Sequence, residues 1–352
     1  MTDTLIIGQG ICGTFLSWEL EQAGVPFLVI DEVRPFTASR VAAGLINPVT
    51  GRRIVKTWMI DELLPIALEA YRQMGATLGV SLVRPSKLLD FFPTVQMRLA
   101  FLERYGEDPQ YLSLPEDEHD QDALFRYELG YGTIAPCYLV DIATVLEGSR
   151  KKMLASGLLM EERFERGALV MEGSGKTIRY KDIRANRIIF CDGIESCDSP
   201  WFSRLPFAPN KGEALIVEIP ELVGSDVFKK GISLASWKEN LYWAGSSYEW
   251  SFTNDSPTEA FRQRTEAILR DWLKVPFKVV DHFASVRPAT LERRPFIGFH
   301  PLHPAIGIFN GMGTKGCSLA PYFAHQLALH ITQGSPVQAD VDVRRFAKIL
   351  SR

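Results

Sequence analysis

Thr4-Leu5-Ile6-Ile7-Gly8-Gln9-Gly10-Ile11-Cys12-Gly13 opens a stretch that ends on Phe27-Leu28-Val29-Ile30-Asp31. The apolar run before Gly8 predicts a strand. Phe15, Leu16 and Leu20 are spaced for one buried helix face, and Phe27 to Ile30 predicts a second strand. The order is therefore strand, glycine turn, helix, strand, acid. In such a unit Gly8 permits the tight turn, Gly10 lets backbone approach a pyrophosphate, and Gly13 lets helix pack closely on strand. The helix start offers free N–H groups and partial positive charge to phosphates. Asp31 lies about 20 residues beyond the glycines, where an acid accepts hydrogen bonds from a ribose diol. The bland alternative, a βαβ unit with an ordinary glycine turn, does not require the acid at that distance.

The rest of the chain sets bounds on this reading. Its 352 residues suffice for about two domains. A net charge of −3, with both signs dispersed, argues against nucleic-acid and membrane-surface binding. The five cysteines, Cys12, Cys137, Cys191, Cys197 and Cys317, have no zinc-finger spacing and cannot all pair within one chain, so reduced thiols in the cytoplasm are expected. No signal peptide is expected, and no apolar run reaches the roughly 18 residues of a membrane span. His300 and His303 flank prolines without a cysteine or carboxylate cluster, so no metal site is expected.

Further along, helices are predicted over Asp61 to Gly75, Asp141 to Ala155 and Thr258 to Leu273. The acidic run Pro115 to Asp122 reads as a solvated loop. Arg187 to Cys191 predicts a buried strand closed by Asp192-Gly193. From Glu213 to Trp250 strands dominate, and Val279 to Val286 predicts another. Ile306-Gly307-Ile308-Phe309 then leads into a second glycine turn, Gly311-Met312-Gly313-Thr314-Lys315-Gly316. The helix after it repeats Leu319, Phe323, Leu327 and Ile331, with Gly334 as its cap. Strand–turn–helix units at both ends, with a strand-rich middle, predict an α/β protein. Its Rossmann-like nucleotide domain is built from discontinuous segments and interrupted by a mixed or antiparallel-sheet domain. The expected division is 1–80, 137–205 and 285–352 for the nucleotide domain, with 81–136 and 206–284 for the other.

These segments together resemble the D-amino-acid oxidase superfamily of FAD-dependent amine oxidases, which includes glycine oxidase and sarcosine oxidase. Beside the N-terminal turn, the resemblance runs through Ser39 to Pro48 and Asn210-Lys211-Gly212-Glu213. It continues through Val286-Arg287-Pro288 with Arg294-Pro295-Phe296-Ile297-Gly298, and through Gly311 to Pro321. It implies FAD as cofactor, with hydride transfer from the carbon next to an amine and dioxygen as electron acceptor. Candidate cofactor contacts are Gly8, Gly10, Ile11, Cys12, Gly13, Asp31 and Glu32 from the first turn and strand. Ser39, Ala43 and Gly44 come from the following loop, and Gly193 from the strand end. Gly311, Met312, Gly313, Thr314, Lys315, Gly316 and Cys317 come from the second turn. Neither Cys nor His stands at the position of the sarcosine oxidase flavin link, so FAD is expected to be non-covalent.

The resemblance also places Arg287 on the carboxylate of an amino-acid or amine substrate, where a planar guanidinium fork suits two oxygens. The alternative is an arginine paired to a structural acid. Lys315, at a helix start, would add charge near the flavin, or else be a solvated loop lysine. Arg53 and Lys56 match the spacing of a basic pair that lies beside the flavin in sarcosine oxidase-like members, or else form an ordinary basic stretch. One departure bears on the substrate. The tyrosine that assists the carboxylate in glycine oxidase-like members falls at Gly231-Ile232-Ser233-Leu234, where there is none. Tyr242 to Trp250 is expected either to line the site or to be core. The function expected is oxidation of the C–N bond of a small amino acid or secondary amine. Two other readings stay open: a flavin enzyme of tRNA wobble-uridine modification, and a non-catalytic flavin-binding subunit of an amine dehydrogenase.

Overall fold

A computed structural model describes residues 2–351. The opening stretch folds as strand β1 (Thr2–Ile7), helix α1 (Ile11–Gln22) and strand β2 (Phe27–Ile30). β1 pairs in parallel with β2. Phe15, Leu16 and Leu20 are all fully buried. Helix α2 (Ile60–Leu78) follows, then strands β3 (Val83–Phe91) and β4 (Tyr131–Val140) and helix α3 (Ile142–Ala155). Strand β5 (Ile183–Phe190) returns to lie parallel to β1.

The middle of the chain is a strand series. It comprises β6 (Asn210–Glu218), β7 (Val227–Lys230), β8 (Ile232–Lys238) and β9 (Leu241–Gly245). Helix α4 (Glu259–Trp272) and strand β10 (Lys278–Arg287) complete it. The C-terminal unit is strand β11 (Phe296–Phe299), strand β12 (Ile306–Asn310) and helix α5 (Gly316–Gln333), the last capped by Gly334.

Two large sheets result. In the first, β1 lies between β2 and β5, and β12 runs parallel to β5. Helices α1, α2, α3 and α5 share one hydrophobic core on this sheet, where Leu319, Phe323 and Leu327 pack with Phe15, Tyr71 and Val145. The second sheet runs β10-β6-β9-β8-β7-β3-β4, ending on the short strand Leu45–Ile46. Its pairs are antiparallel except β7 with β3. Because successive side chains on a strand alternate faces, this sheet has two unlike sides. Leu215, Val217, Leu234, Tyr242 and Ala244 pack with Phe261, Leu269 and Trp272 of α4. The intervening residues face the first sheet.

The Pro115–Asp122 run is irregular and mostly exposed. Among the described residues, no helix is long and apolar enough to cross a membrane, and no cluster of three His, Cys, Asp or Glu side chains comes together.

Candidate active site

A cavity of about 1690 Å³ separates the two sheets. The α1 end explains why its glycines stand where they do. Gly8 has φ +96°, and a side chain there would lie 2.6 Å from the Cys191 carbonyl oxygen. A Cβ on Gly13 would lie 1.9 Å from the Gly8 carbonyl oxygen, so the helix reaches the turn only because Gly13 has none. Gly10 differs. A Cβ there would meet nothing closer than Ser39 Oγ at 3.2 Å, and the position opens on the cavity. The Ile11 N–H donates to Ser39 Oγ at 3.1 Å, and no acid occupies the first turn of α1.

Asp31 faces the cavity and is oriented by a buried network. Its carboxylate accepts from the Gln9 N–H at 2.8 Å and from Arg150 Nη1 at 2.7 Å. Arg150, 7% exposed, also bonds the Asp31 carbonyl and Glu161, and its Nη1 donates to Gln9 Oε1. The Gln9 amide donates to Thr14 Oγ1 and the Leu146 carbonyl. Glu32 also lines the cavity, paired with Arg34, which reaches on to Glu195 at 2.7 Å.

The second glycine turn meets the first. A Cβ on Gly316 would lie 3.2 Å from Ile11 Cγ2, so the starts of α1 and α5 share one end of the cavity. Residues Met312 to Cys317 line it, as do Ser39, Ala43, Gly44 and Gly193. Gly193 is held by Asn310, whose Nδ2 donates to its carbonyl at 2.8 Å. Gly13 and Gly311 stand behind the lining. The Lys315 ammonium makes no hydrogen bond or ion pair among the described residues. Burial pushes its ammonium down to about 8 from the usual 10.5, against the pull of the Cys137 and Cys317 thiols. The Cys317 thiol is itself pushed up to about 12 by burial, which suits an inert packing residue rather than a nucleophile.

Arg287 ends β10 opposite the α1 turn. Its Nη1 donates to Asn210 Oδ1 at 2.7 Å and to the Ser247 carbonyl at 3.3 Å. Its guanidinium lies 4.9 Å from the centre of the Tyr248 ring. Among the described residues it has no carboxylate partner, and burial lowers its pKa. Gly212, across the ladder on β6, leaves its space: a Cβ there would be 1.8 Å from Arg287 Nη2.

The basic pair expected beside the flavin lies elsewhere. Arg53 is exposed, and Lys56 pairs with Asp61 and donates to Gln110; neither lines the cavity. The short hairpin 49–50 with 55–56 carries them outward, while Arg52 at its turn faces the cavity instead. Strand alternation makes Tyr242 core and turns Trp243 toward the cavity; Tyr248, past the strand end at Gly245, lines the cavity as well. Arg150 and Asn210 had no assigned role in the sequence. Arg150 lies 119 residues from Asp31, and no local pattern links them.

A cavity framed by two glycine turns on one side and a sheet with a half-buried arginine on the other defines a dinucleotide-dependent enzyme of two-sheet design. The chain belongs to the FAD dependent oxidoreductase family, whose model matches residues 3–329. It is similar to a glycine oxidase from Pseudomonas aeruginosa, 21% identical over 353 positions covering 95% of each chain. Among solved structures it is similar to the glycine oxidase of Bacillus cereus, with TM-score 0.80 at 16% identity over 100% of this chain and 99% of that one. It is also similar to iminodiacetate oxidase from Chelativorans sp. BNC1, with TM-score 0.74 at 19% identity over 96% of each. L-proline dehydrogenase from P. horikoshii shares the fold as well, with TM-score 0.76 at 15% identity over 99% and 98%. FAD is the cofactor of this family. The open space before Gly10, the facing starts of α1 and α5, and the unpartnered Lys315 fit a dinucleotide with an electron-rich ring.

Proposed function

We propose that this oxidoreductase oxidises the C–N bond of a small amino acid or secondary amine that carries a carboxylate. The supporting observation is Arg287, a half-buried guanidinium that faces the cavity with no acid to balance it among the described residues. A partly buried charge without a partner is costly, and an anionic substrate group removes that cost. When bound, FAD supplies the two-electron acceptor for the C–H bond next to nitrogen. The protein's share is position and charge. Arg287 holds the carboxylate, with Asn210 fixing the orientation of its Nη1. Lys315 and the start of α5 offer positive charge to the ring. Asp31, steadied by Arg150, accepts from the ribose.

In this reading the first sheet and its helices hold FAD without a covalent link, and the second sheet forms the substrate wall. Dioxygen takes the electrons, with hydrogen peroxide as product. The structural neighbours include a dehydrogenase as well as oxidases, so peroxide release is measured directly. The test combines two assays. Acid must release FAD from the purified protein. Arg287→Lys must raise the KM for a carboxylate-bearing amine at least tenfold, leave FAD content unchanged, and spare amines that lack the carboxylate. Indifference of turnover to Arg287 refutes the reading.

A further inference from the structure

The sheet face that looks into the cavity is built of small side chains, and this bears on the substrate that the proposed amine oxidation would use. Ala214 of β6 pairs across the ladder with Gly245 of β9, which pairs in turn with Ser233 of β8. All three line the cavity. They form a floor of small residues across three adjacent strands, at the centre of the sheet rather than at its edge, with the Trp243 ring lying over Gly245, where a Cβ would be 2.9 Å from Trp243 Cη2.

The walls around the floor are apolar and rigid. Trp243 is fixed by its indole N–H, which donates to the Val41 carbonyl at 3.0 Å. Phe283 faces Phe36 with ring centres 6.0 Å apart.

A tyrosine does reach Arg287, by another route. Ser247 and Glu249 both bond to β6: the Ser247 N–H donates to the Glu213 carbonyl at 3.2 Å, and Lys211 and Glu249 exchange bonds at 2.9 and 3.0 Å. Tyr248, held between these tethers, lays its ring over the guanidinium at 4.9 Å while remaining 58% exposed. It therefore covers Arg287 on its solvent side.

We propose that the substrate is a carboxylate-bearing amine with a ring-sized apolar substituent, which lies against Ala214, Ser233 and the Trp243 ring while Tyr248 covers Arg287. A glycine-sized substrate would leave the floor wetted. A ring of Phe size carries about 150–250 Å² of surface to bury there.

The test uses the FAD-loaded enzyme without oxygen, where bleaching of the flavin absorbance reports hydride transfer. Glycine and sarcosine are compared with N-benzylglycine and with D- and L-phenylalanine. At least one ring-bearing substrate is expected to bleach the flavin with tenfold or greater efficiency over glycine and sarcosine. Ser233→Tyr, which fills the floor, is expected to reduce that advantage at least tenfold, with the flavin spectrum confirming a folded site. Ala214→Leu supplies an independent plug should Ser233→Tyr fail to load FAD. Glycine or sarcosine matching the ring-bearing amines, with Arg287→Lys still weakening all of them, overturns this inference alone. Flavin that no carboxylate-bearing amine of either size bleaches overturns the amino-acid reading and this inference with it.

Discussion

Gly212→Ala isolates the part played by Arg287 without touching it. The added Cβ would fall 1.8 Å from Arg287 Nη2, 2.2 Å from Cζ and 2.4 Å from Nη1. Carbon contacts settle near 3.5–4.0 Å, so the guanidinium must retreat by about 2 Å. That displacement breaks the 2.7 Å bond to Asn210. A hydrogen bond involving a charged group contributes about 1.5–3 kcal/mol, and a misplacement of about 1 Å in a positioning group costs on the order of 10²-fold. The expected loss in affinity for a carboxylate substrate is therefore about 10- to 100-fold. The folded protein loses that bond as well. Relief of glycine's backbone entropy on a strand returns only about 0.5–1 kcal/mol, so Tm should fall modestly, and FAD content should be unchanged. The assay is substrate concentration dependence of anaerobic flavin bleaching. A double-variant cycle sharpens it: in an Arg287→Ala background the new methyl meets no guanidinium, so Gly212→Ala should be nearly silent there. Equal losses in both backgrounds, or an unchanged Kd in the single variant, would refute the claim that Gly212 exists to seat Arg287.

Three further expectations follow from the cofactor side. Gly10→Val should leave a folded protein that purifies colourless, because only Ser39 Oγ stands near the new side chain. Gly13→Ala should lower Tm sharply, because its Cβ would fall 1.9 Å from the Gly8 carbonyl oxygen; thermal melts of both apoproteins separate the two roles. Arg150→Met should weaken FAD binding about tenfold or more in a fluorescence titration, since breaking a buried pair costs about 3–5 kcal/mol and frees the Asp31 carboxylate to turn. Lys315, lowered to about 8, is neutral in the native protein between pH 8 and 10.5 while its unfolded form is charged, so apoprotein stability from this group rises with pH across that window. An anion bound beside it pulls the value back up. FAD binding near pH 9 should then take up a proton, seen by calorimetry in two buffers, and Lys315→Met should abolish that uptake.

What the sequence makes legible is what neighbouring residues decide together. The Thr4–Asp31 unit is such a case: apolar runs, glycine spacing and the acid all act within one strand–helix–strand turn, and the fold puts each element where the local pattern implies. The helices over 60–78, 142–155 and 259–272 likewise follow their apolar spacing to within a few residues. Arg53 and Lys56 show the limit. Their spacing matched a basic pair, but a hairpin turn decides which of three nearby cations faces inward, and here it is Arg52. The partners that tune the site are less legible still. Arg150 steadies Asp31 from the far end of α3, and Asn210 meets Arg287 across a ladder between strands 77 residues apart.

Gly212 shows why such pairings escape a linear reading. In sequence it is one glycine in Asn210-Lys211-Gly212-Glu213, and nothing local distinguishes a turn glycine from a strand glycine. Only the register of β6 against β10, which sets Asn210 opposite Arg287 and Gly212 opposite Ser285, turns the missing side chain into room for a guanidinium. The same logic governs the floor. Ala214, Ser233 and Gly245 are unremarked small residues on three separate strands until antiparallel pairing makes them neighbours. Binding chemistry in this protein is thus written in two registers. The cofactor cradle is local and readable along the chain, while the substrate wall exists only across the sheet. Substitutions on that wall are accordingly the ones whose effects neither composition nor motif foretells.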